Sequence, residues 1–197
     1  MPATLQPPTV RPSIRTRFTV AEFHRLRELP SFAANRPFLL NGVIWEQGPM
    51  DSPHGNGVER TDAVVRAAFG VGWRFRVQLP LVLNQESDPM PDIAVIAGAL
   101  VGSPGHPTTA ALVVEVSDTT LEADLTEKAE AYATAGIADY WVLDVVGREL
   151  HVFRDPAPLP AGLGATAYRR HTTHDPADAV APLAAPTATI GVADMLP

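Results

Sequence analysis

Two short apolar runs in the middle of the chain constrain its fold more than any other feature. Each run has the composition of a strand that is buried on both faces, yet each carries one carboxylate where valine or isoleucine would be expected. Asp92 opens the first run, and Glu115 lies inside the second. Because side chains alternate along a strand, Glu115 shares one face with Val113 and Ser117. The pattern therefore predicts two buried strands that each place an acid in the interior.

A helix is predicted directly after the second run. Thr119 and Glu122 have the spacing of a capping box, and Gly136 is typical of a helix end, so the segment should form about four helical turns. On a helical wheel, one narrow stripe contains Lys128 among apolar side chains, those of Leu121, Leu125, Tyr132 and Ala135. This stripe is the face that should pack on the sheet. Lys128 is the only lysine among the fifteen basic residues, so its inward position is unusual within this chain.

Two interpretations of Lys128 remain open on these residues alone. A lysine on an inward face can extend its ammonium to solvent or close a structural ion pair, because a buried charge needs only a suitable partner. Alternatively, Asp92 and Glu115 bind a divalent metal ion, and Lys128 reaches the same site. Mg²⁺ suits the second interpretation, since it prefers carboxylates and other oxygen ligands and retains several waters.

The order of these motifs resembles that of a known family. The motifs are Pro91-Asp92, then Glu115-Val116-Ser117-Asp118, then Leu121, Asp124 and Lys128, and finally Tyr132-Ala133-Thr134-Ala135-Gly136-Ile137 and Tyr140-Trp141-Val142-Leu143-Asp144. The series resembles the Uma2 family of restriction endonucleases, within the PD-(D/E)xK nuclease superfamily, and the resemblance extends over most of the chain. It implies an α/β (mixed α+β) fold with a restriction-endonuclease-like, curved mixed β-sheet flanked by helices.

The resemblance also implies a function and a set of site residues. The function is that of a metal-dependent DNA endonuclease, which hydrolyses phosphodiester bonds with Mg²⁺ as the cofactor and with Mn²⁺ able to substitute. Asp92 and Glu115 would bind the metal, and the main-chain carbonyl of Val116 would add a ligand. The superfamily lysine normally lies two residues after the second acid, where this chain has Ser117. Lys128 on the helix is therefore the candidate for the catalytic lysine.

Two positions depart from the family pattern. Phe38 stands where family members commonly carry an acid, and Val58 stands where they carry a histidine at the start of the next helix. Glu46 and His54 lie nearby, and Glu46 is the candidate for the missing catalytic acid. The departures also suit a second function, that of a catalytically degraded nuclease-fold protein that serves as a binding module. A third function, a glycosidase that uses the two buried acids without metal, has no use for Lys128.

Composition sets the expectations for organisation and location. A chain of 197 residues with 46% hydrophobic residues can bury one core, so we expect a flexible, proline-rich tail at 1–17 and a single nuclease-like domain at 18–197. The chain has no cysteine, which excludes disulfides and thiolate metal sites. It has neither an apolar run of membrane-spanning length nor an apolar signal segment, so we expect a cytoplasmic protein with no membrane partner.

The charge of the chain argues against a general nucleic-acid binder. Its net charge is −7, whereas binding to phosphates normally requires a basic surface. Arginines nevertheless form two clusters, which either contact a phosphate backbone or remain solvated. The clusters are Arg11, Arg15 and Arg17 in the tail, and Arg74 and Arg76 further along the chain. Cleavage of both DNA strands would favour a homodimer, because two-fold symmetry matches the duplex.

Local signals predict the other elements. Thr19 and Glu22 form a capping box that starts a helix ending before Pro30, and Asn41-Gly42 forms the turn of a hairpin. A second helix is predicted at 58–69. Further strands are predicted at 73–78, 79–83 and 165–173, and another hairpin is predicted to turn at Gly147-Arg148.

Two aromatic residues follow the central helix and begin a strand. Tyr140 and Trp141 are expected to pack in the core, with Trp141 inside and the Tyr140 hydroxyl bound to a polar partner. The alternative is an aromatic platform on which bases stack.

Overall fold

The computed structural model describes residues 16–33, 36–48, 51–98, 105–158 and 166–197, so most of the predicted tail at 1–17 lies outside the described residues. The elements are, in chain order, α1 (Val20–Arg27), α2 (Pro30–Ala33), β1 (Pro37–Leu40), β2 (Val43–Glu46), α3 (Ser52–Phe69), β3 (Trp73–Val77), β4 (Ile93–Ala97), β5 (Leu112–Ser117), α4 (Leu121–Leu125), α5 (Glu127–Thr134), β6 (Asp139–Asp144), β7 (Glu149–Pro158), β8 (Thr166–His174), β9 (Ala179–Val180), β10 (Ile190–Gly191) and α6 (Val192–Met195). None of the described helices combines the length and the apolarity needed to cross a membrane.

Six strands form one mixed sheet in the order β3-β4-β5-β6-β7-β8. Within it β5 and β6 run parallel, whereas the other neighbours are antiparallel. A parallel pair needs a crossover connection, and α4 and α5 supply it on one face of the sheet, while α3 covers the other face. The predicted fold class, a mixed sheet flanked by helices, is confirmed.

Apolar residues of the sheet form a separate core on each face. On one face, Val65 and Phe69 of α3 pack against alternate residues of the central strands, among them Val114, Val116 and Trp141. On the other face, Ala129 and Tyr132 of α5 pack against the intervening residues, among them Val113, Tyr140, Val142 and Phe153. The alternation of side chains along buried strands accounts for this division. Glu115 belongs to the face that α5 covers.

The predicted packing of Tyr140 and Trp141 is confirmed. Both side chains are fully buried. The Trp141 indole donates a hydrogen bond to Asp139 Oδ1 at 2.8 Å, and the Tyr140 hydroxyl donates to the main-chain carbonyl of Asp124 at 2.8 Å. Because neither ring reaches the surface, neither can stack on a nucleic-acid base.

The prediction of one continuous helix after β5 is wrong. The segment is divided between α4 and α5 at Thr126, whose φ and ψ of −118° and −85° are not helical. Thr126 Oγ1 donates to the carbonyl of Glu122 at 2.6 Å, a local bond that competes with regular helix geometry. The predicted capping box is absent as well, because Thr119 N and Oγ1 both bond to Asp118 Oδ1. The inward position of Lys128 is nevertheless confirmed, since its side chain is only 15% exposed.

Helix α3 begins six residues earlier than the predicted 58–69. Its N-cap is Asp51, whose Oδ1 accepts a hydrogen bond from His54 N at 3.1 Å. The early turns contain two glycines, which lower helix propensity and hid the start. Gly57 has a packing reason, because a Cβ at this position would lie 2.8 Å from Val116 Cγ1. The glycine therefore allows α3 to approach β5 closely.

Most of the remaining local predictions are confirmed, and one strand prediction is wrong. Five predictions are confirmed to within about one residue. They are the α1 capping box at Thr19, the β1–β2 hairpin with both turn residues at positive φ, the strand at 73–78, the β6–β7 hairpin and the strand at 165–173. The strand predicted at 79–83 is wrong. Pro80 lacks a donor for a ladder, and the segment instead forms isolated bonds such as Leu81 N to the carbonyl of Pro89 at 2.9 Å.

Candidate active site

One pocket of about 110 Å³ is lined by all the residues predicted for the site, namely Glu46, Asp92, Glu115, Val116 and Lys128. The sheet register explains part of this convergence. Ile93 pairs with Val114 in the antiparallel β4–β5 ladder, so the next residue on each strand places Asp92 beside Glu115. Lys128 comes from α5, which packs over the same face. The pocket therefore collects side chains from two strands and the crossover helix.

Asp92 is a buried carboxylate held by three donors. The residue is only 4% exposed. Its Oδ2 accepts a hydrogen bond from Val116 N at 2.8 Å, and its Oδ1 accepts one from Gln78 Nε2 at 3.1 Å. His54 Nε2 lies 3.3 Å from the same Oδ1. Burial alone would raise the pKa of Asp92, but the His54 hydrogen bond and charge, with the Val116 N–H, outweigh it and hold the pKa below its usual range. Asp92 is therefore ionised at neutral pH.

Glu115 has a different environment. Its Oε1 accepts a hydrogen bond from the Tyr132 hydroxyl at 2.8 Å, and its Oε2 lies 3.1 Å from Lys128 Nζ. Burial raises the pKa of Glu115 to about 7, and the carboxylates of Asp124 and Asp92 add to the rise, while Lys128 offsets only part of it. The pocket thus holds more negative charge than one ammonium neutralises.

Lys128 closes a buried ion-pair network and also faces the pocket. Its Nζ lies 2.6 Å from Oδ1 of Asp124, which belongs to α4, and Asp124 Oδ2 accepts a hydrogen bond from the Thr120 hydroxyl at 2.7 Å. Burial would lower the pKa of Lys128, but the charges of Glu115 and Asp124 outweigh it and raise the pKa above its ordinary value. The Phe38 ring lies under the ammonium, with its centroid 5.8 Å from Nζ. Both interpretations of Lys128 therefore describe part of the geometry.

The donor set of the pocket fits a hard divalent cation such as Mg²⁺. Asp92 and Glu115 offer carboxylate oxygens, and each oxygen has two lone pairs, so both acids can accept a further ligand beside their present hydrogen bonds. A nearby cation would also lower the raised pKa of Glu115 and complete the charge balance. Val116 lines the same pocket, in the position from which its carbonyl was predicted to contribute.

The two departures from the family pattern have different outcomes. Phe38 lies in the pocket, where its ring contacts the Lys128 ammonium rather than supplying an acid. Val58 lies in the hydrophobic core between α3 and the sheet and does not line the pocket, and its correspondence to the family histidine stays a prediction. Because α3 begins at Ser52, His54 in its first turn is the histidine that reaches the site. Glu46, at the end of β2, lines the pocket from an exposed position.

Three residues that bind the charged groups of the pocket received no role from the sequence. Asp124 has a visible signal, because an acid four residues before a lysine forms an ion pair on a helix. Tyr132 was placed on the inward stripe, but nothing in the sequence assigned its hydroxyl to Glu115. Gln78 could not be found, since its bond to Asp92 depends on the β3–β4 pairing.

A second group of potential metal ligands lies outside this pocket. Asp144, Glu149 and His151 offer ligand atoms that all lie within 4.8 Å of one another. None of the three received a ligand role from the sequence, although Asp144 ends the last motif of the family resemblance. A partly buried cluster with the residue types of a metal site therefore lies at the β6–β7 hairpin.

The fold and the pocket together define a nuclease-fold protein, in which a mixed sheet between helices carries two acids and a lysine at one site. The chain belongs to the Uma2 family, described as "putative restriction endonuclease", whose family model matches residues 20–192. The resemblance drawn from the sequence motifs is confirmed.

A solved structure shows the same fold. It is the crystal structure of "a putative nuclease belonging to DUF820" from Anabaena variabilis ATCC 29413, which is 15% identical to this chain with a TM-score of 0.66. The similarity covers 90% of this chain and 97% of that one. At this level of identity the likeness concerns the fold alone. No curated protein matches the chain.

Proposed function

We propose that the protein is a Mg²⁺-dependent DNA endonuclease that hydrolyses phosphodiester bonds. The observation that carries the proposal is the convergence of buried Asp92, buried Glu115 and the Lys128 ammonium on one pocket. Membership of a family described as restriction endonucleases supports DNA as the substrate. Asp92, Glu115 and the carbonyl of Val116 are the proposed metal ligands, and Mn²⁺ is expected to substitute for Mg²⁺ because it also takes oxygen ligands.

The metal would polarise the scissile phosphate and lower the pKa of a bound water. Lys128 supplies a positive charge that belongs to the chain and not to the metal. Its aliphatic part is held by the core, and its ammonium is held by Asp124 and Glu115. An ammonium held in this way offsets negative charge that develops on the phosphate without having to reorient during the reaction. Asp124 is therefore a positioning residue for Lys128.

His54 is proposed as a positioning residue for Asp92. Its Nε2 contacts Asp92 Oδ1 from one side, while Val116 N bonds to Oδ2 from the other, so the carboxylate is fixed in rotation. The hydrogen bond to Asp92 raises the pKa of His54, although burial opposes the rise. Partners of this kind orient metal ligands and tune their affinity. Glu46, at the pocket edge, is the proposed accessory acid.

Positive charge at the pocket mouth supports a phosphate substrate despite the acidic chain. Arg36 lines the pocket and donates a hydrogen bond to Gln78 Oε1 at 3.2 Å. Arg74 and Arg76, for which the sequence leaves open phosphate contact or solvation, lie on β3, an edge strand of the sheet. Arg76 donates a hydrogen bond to the carbonyl of Pro80 at 3.2 Å. We expect Arg36 to contribute more to DNA binding than Arg76, because only Arg36 borders the pocket among these residues.

The decisive experiment compares two buried aspartates. Asp92→Asn removes a proposed ligand, whereas Asp88→Asn removes a buried acid that pairs with His24 outside the pocket. Calorimetry with Mg²⁺ and Mn²⁺ should show metal binding in the parent and in Asp88→Asn but not in Asp92→Asn. Cleavage of supercoiled plasmid and linear duplex should follow the same order. Unchanged metal binding in Asp92→Asn would contradict the metal site.

A second function rests on Phe38, which by resemblance stands where family members commonly carry an acid. A nuclease-fold binding module would bind DNA through the same pocket without cutting it. The plasmid assay separates the two functions, because a module would shift DNA in a gel yet leave it intact in both Mg²⁺ and Mn²⁺. Double-strand cleavage with one site per chain would further require two copies, and sedimentation with and without DNA measures that state.

A further inference from the structure

Three side chains at the β6–β7 hairpin form a group that the proposed nuclease does not use. Asp144 ends β6 and pairs directly with Glu149 at the start of β7, while His151 follows two residues later. Because side chains alternate along each strand, all three lie on one face of the sheet. Their potential ligand atoms lie within 4.8 Å of one another. Small side-chain rotations would bring all three to a single ion.

His151 provides the observation that points to a ligand. The residue is only 7% exposed, and its Nε2 is a buried nitrogen without a hydrogen-bond partner. Glu149 Oε1 lies 3.2 Å from Nε2, but not in the direction of a hydrogen bond. A buried polar atom left unsatisfied costs free energy and requires an explanation. The 3.2 Å between Nε2 and Glu149 Oε1 is close to the separation of two atoms that bind one metal ion with bonds of about 2.0–2.1 Å.

The surroundings of the other ring nitrogen accommodate the tautomer that metal binding needs. His151 Nδ1 lies 3.2 Å from Thr173 Oγ1 and 3.1 Å from His171 Nε2, both on β8. A proton on Nδ1 can be donated to one of these acceptors, which leaves the lone pair on Nε2, the nitrogen that lies 3.2 Å from Glu149 Oε1. Metal-bound histidines commonly donate their second N–H in this manner.

Asp144 is turned into the group by the hairpin itself. Its Oδ1 accepts a hydrogen bond from Gly147 N at 2.7 Å, which holds the carboxylate at the turn. A Cβ at Gly147 would collide with Asp144 Oδ2, so the glycine makes room for the second carboxylate oxygen. The carboxylate is therefore held at the turn, on the residue that pairs with Glu149.

We propose that Asp144, Glu149 and His151 bind a first-row divalent metal ion of the zinc type, separate from the nuclease pocket. One imidazole and two carboxylates suit such an ion, with water completing its coordination. Mg²⁺ competes poorly for a nitrogen ligand, because it prefers oxygen. The group lies on β6 and β7, whereas Glu115 lies on β5, so strand spacing separates the two sites by about 10 Å between Glu115 and His151. The ion would clamp the hairpin whether or not the chain cleaves DNA.

Calorimetry with Zn²⁺ on the full chain, in excess Mg²⁺, tests the proposal. We expect one site in the parent protein. Glu149→Gln and His151→Asn should each weaken it by more than the ~10–100-fold typical of an outer-shell partner, whereas Thr173→Val should fall within that range. Glu149 is 39% exposed on its side chain, so its variant should fold even if the His151 variant does not. Equal Zn²⁺ affinity in the parent and in Glu149→Gln would overturn the proposal.

Two controls assign the ion to its site. His174 pairs with Asp178 at 3.7 Å on a neighbouring part of the surface, so His174→Asn removes a similar pair and should leave Zn²⁺ affinity unchanged. Asp92→Asn should also keep the Zn²⁺ site while it loses Mg²⁺ binding. Loss of Zn²⁺ binding in Asp92→Asn with retention in Glu149→Gln would place the ion in the nuclease pocket and refute the hairpin site. A protein that binds Zn²⁺ here but cuts no DNA would refute only the nuclease function.

The parent and Glu149→Gln can also be compared by histidine NMR. Zn²⁺ should shift the ring resonances of His151 and leave those of His24 unchanged. The opposite pattern, or no shift of His151 at saturating Zn²⁺, would likewise refute the hairpin site.

Discussion

Two buried aspartates four residues apart, Asp88 and Asp92, each have a histidine partner, but only Asp92 lines the candidate active-site pocket. His24 Nε2 lies 2.7 Å from Asp88 Oδ2, closer than the 3.3 Å between His54 Nε2 and Asp92 Oδ1. The tighter pair is a contact between α1 and the loop before β4. A buried aspartate–histidine pair is therefore not by itself a site.

The difference lies in what surrounds each pair. Beside Asp92, the sheet places Glu115 and the crossover helix places Lys128, so three charged groups meet at a shared opening. Asp88 instead exchanges backbone hydrogen bonds with Leu39, Asp88 N donating at 2.8 Å, and its role is to fasten β1. The comparison teaches that charge convergence, rather than burial or histidine pairing, marks the candidate site.

The largest expected effect comes from removing the charge that only the Asp92 region has. Lys128→Met keeps the apolar stem but loses the ammonium, and cleavage should slow by about 10²–10³-fold, the usual cost of one oriented transition-state donor. Single-turnover cleavage at saturating metal measures the effect. Metal binding should persist, because Asp92 and Glu115 remain. A Lys128→Met enzyme as fast as the parent would remove Lys128 from the reaction.

Lys128→Arg is the matched control for charge. An arginine keeps the positive charge, but its wide planar fork fits poorly where a compact ammonium sits between Asp124 and Glu115. We expect a folded and nearly inactive protein. Full activity in this variant would mean that only charge, and not geometry, is required.

Substitution of each histidine in turn tests the comparison directly. His54→Gln should weaken Mn²⁺ binding by about 10–100-fold, the range for a residue that orients a metal ligand. His24→Gln should leave Mn²⁺ binding unchanged, because Asp88 lies outside the pocket. Calorimetry on both variants gives the answer. Equal losses would mean that the two pairs act through overall stability.

A core substitution separates stability from site chemistry. Trp141→Phe replaces a fully buried indole with a smaller ring and removes its bond to Asp139, so the free energy of unfolding should fall by about 1–2 kcal/mol. DNA affinity should stay near that of the parent, since the ring does not reach the surface. Urea unfolding and a gel-shift titration measure the two quantities. A large affinity loss at unchanged stability would reverse this assignment.

The smallest effect is a pH dependence of stability in the metal-free protein. The pKa of His54 is raised in the folded state, mainly by its hydrogen bond to Asp92. Its stabilising contribution is therefore fully present below the unfolded pKa of about 6.5 and is lost as pH rises through the folded pKa. Urea unfolding in EDTA should show a larger advantage of the parent over His54→Gln at acid than at alkaline pH. An advantage independent of pH would contradict the ion pair.

Much of the fold was predictable because its signals are local. The Thr19 capping box and the Asn41-Gly42 turn act through neighbouring backbone groups, and the two acid-bearing strands are recognisable from their composition. The break at Thr126 and the early start of α3 were missed because side-chain bonds and packing overrode propensity there. Gly57 weakens the sequence signal for a helix, yet it allows α3 to pack closely against Val116 in the folded protein.

The predicted site residues do converge on one pocket, and their catalytic roles remain predictions. Asp92, Glu115 and Lys128 were visible as charged residues on apolar surfaces. His54 was named only as a neighbour, because its place in the site depends on where α3 begins. The Asp144 group was invisible, since it depends on the register between two strands and on an unsatisfied nitrogen.

Because α3 crosses close over β5, one glycine affects the position of the reactive groups although it has no side chain. Gly57 lies three positions beyond His54 on α3 and contacts the strand at Val116, next to Glu115. A larger residue at 57 would lift the start of the helix and carry His54 away from Asp92 without changing any charge. Laboratory evolution aimed at a different metal preference should therefore randomise position 57 together with the charged residues of the pocket.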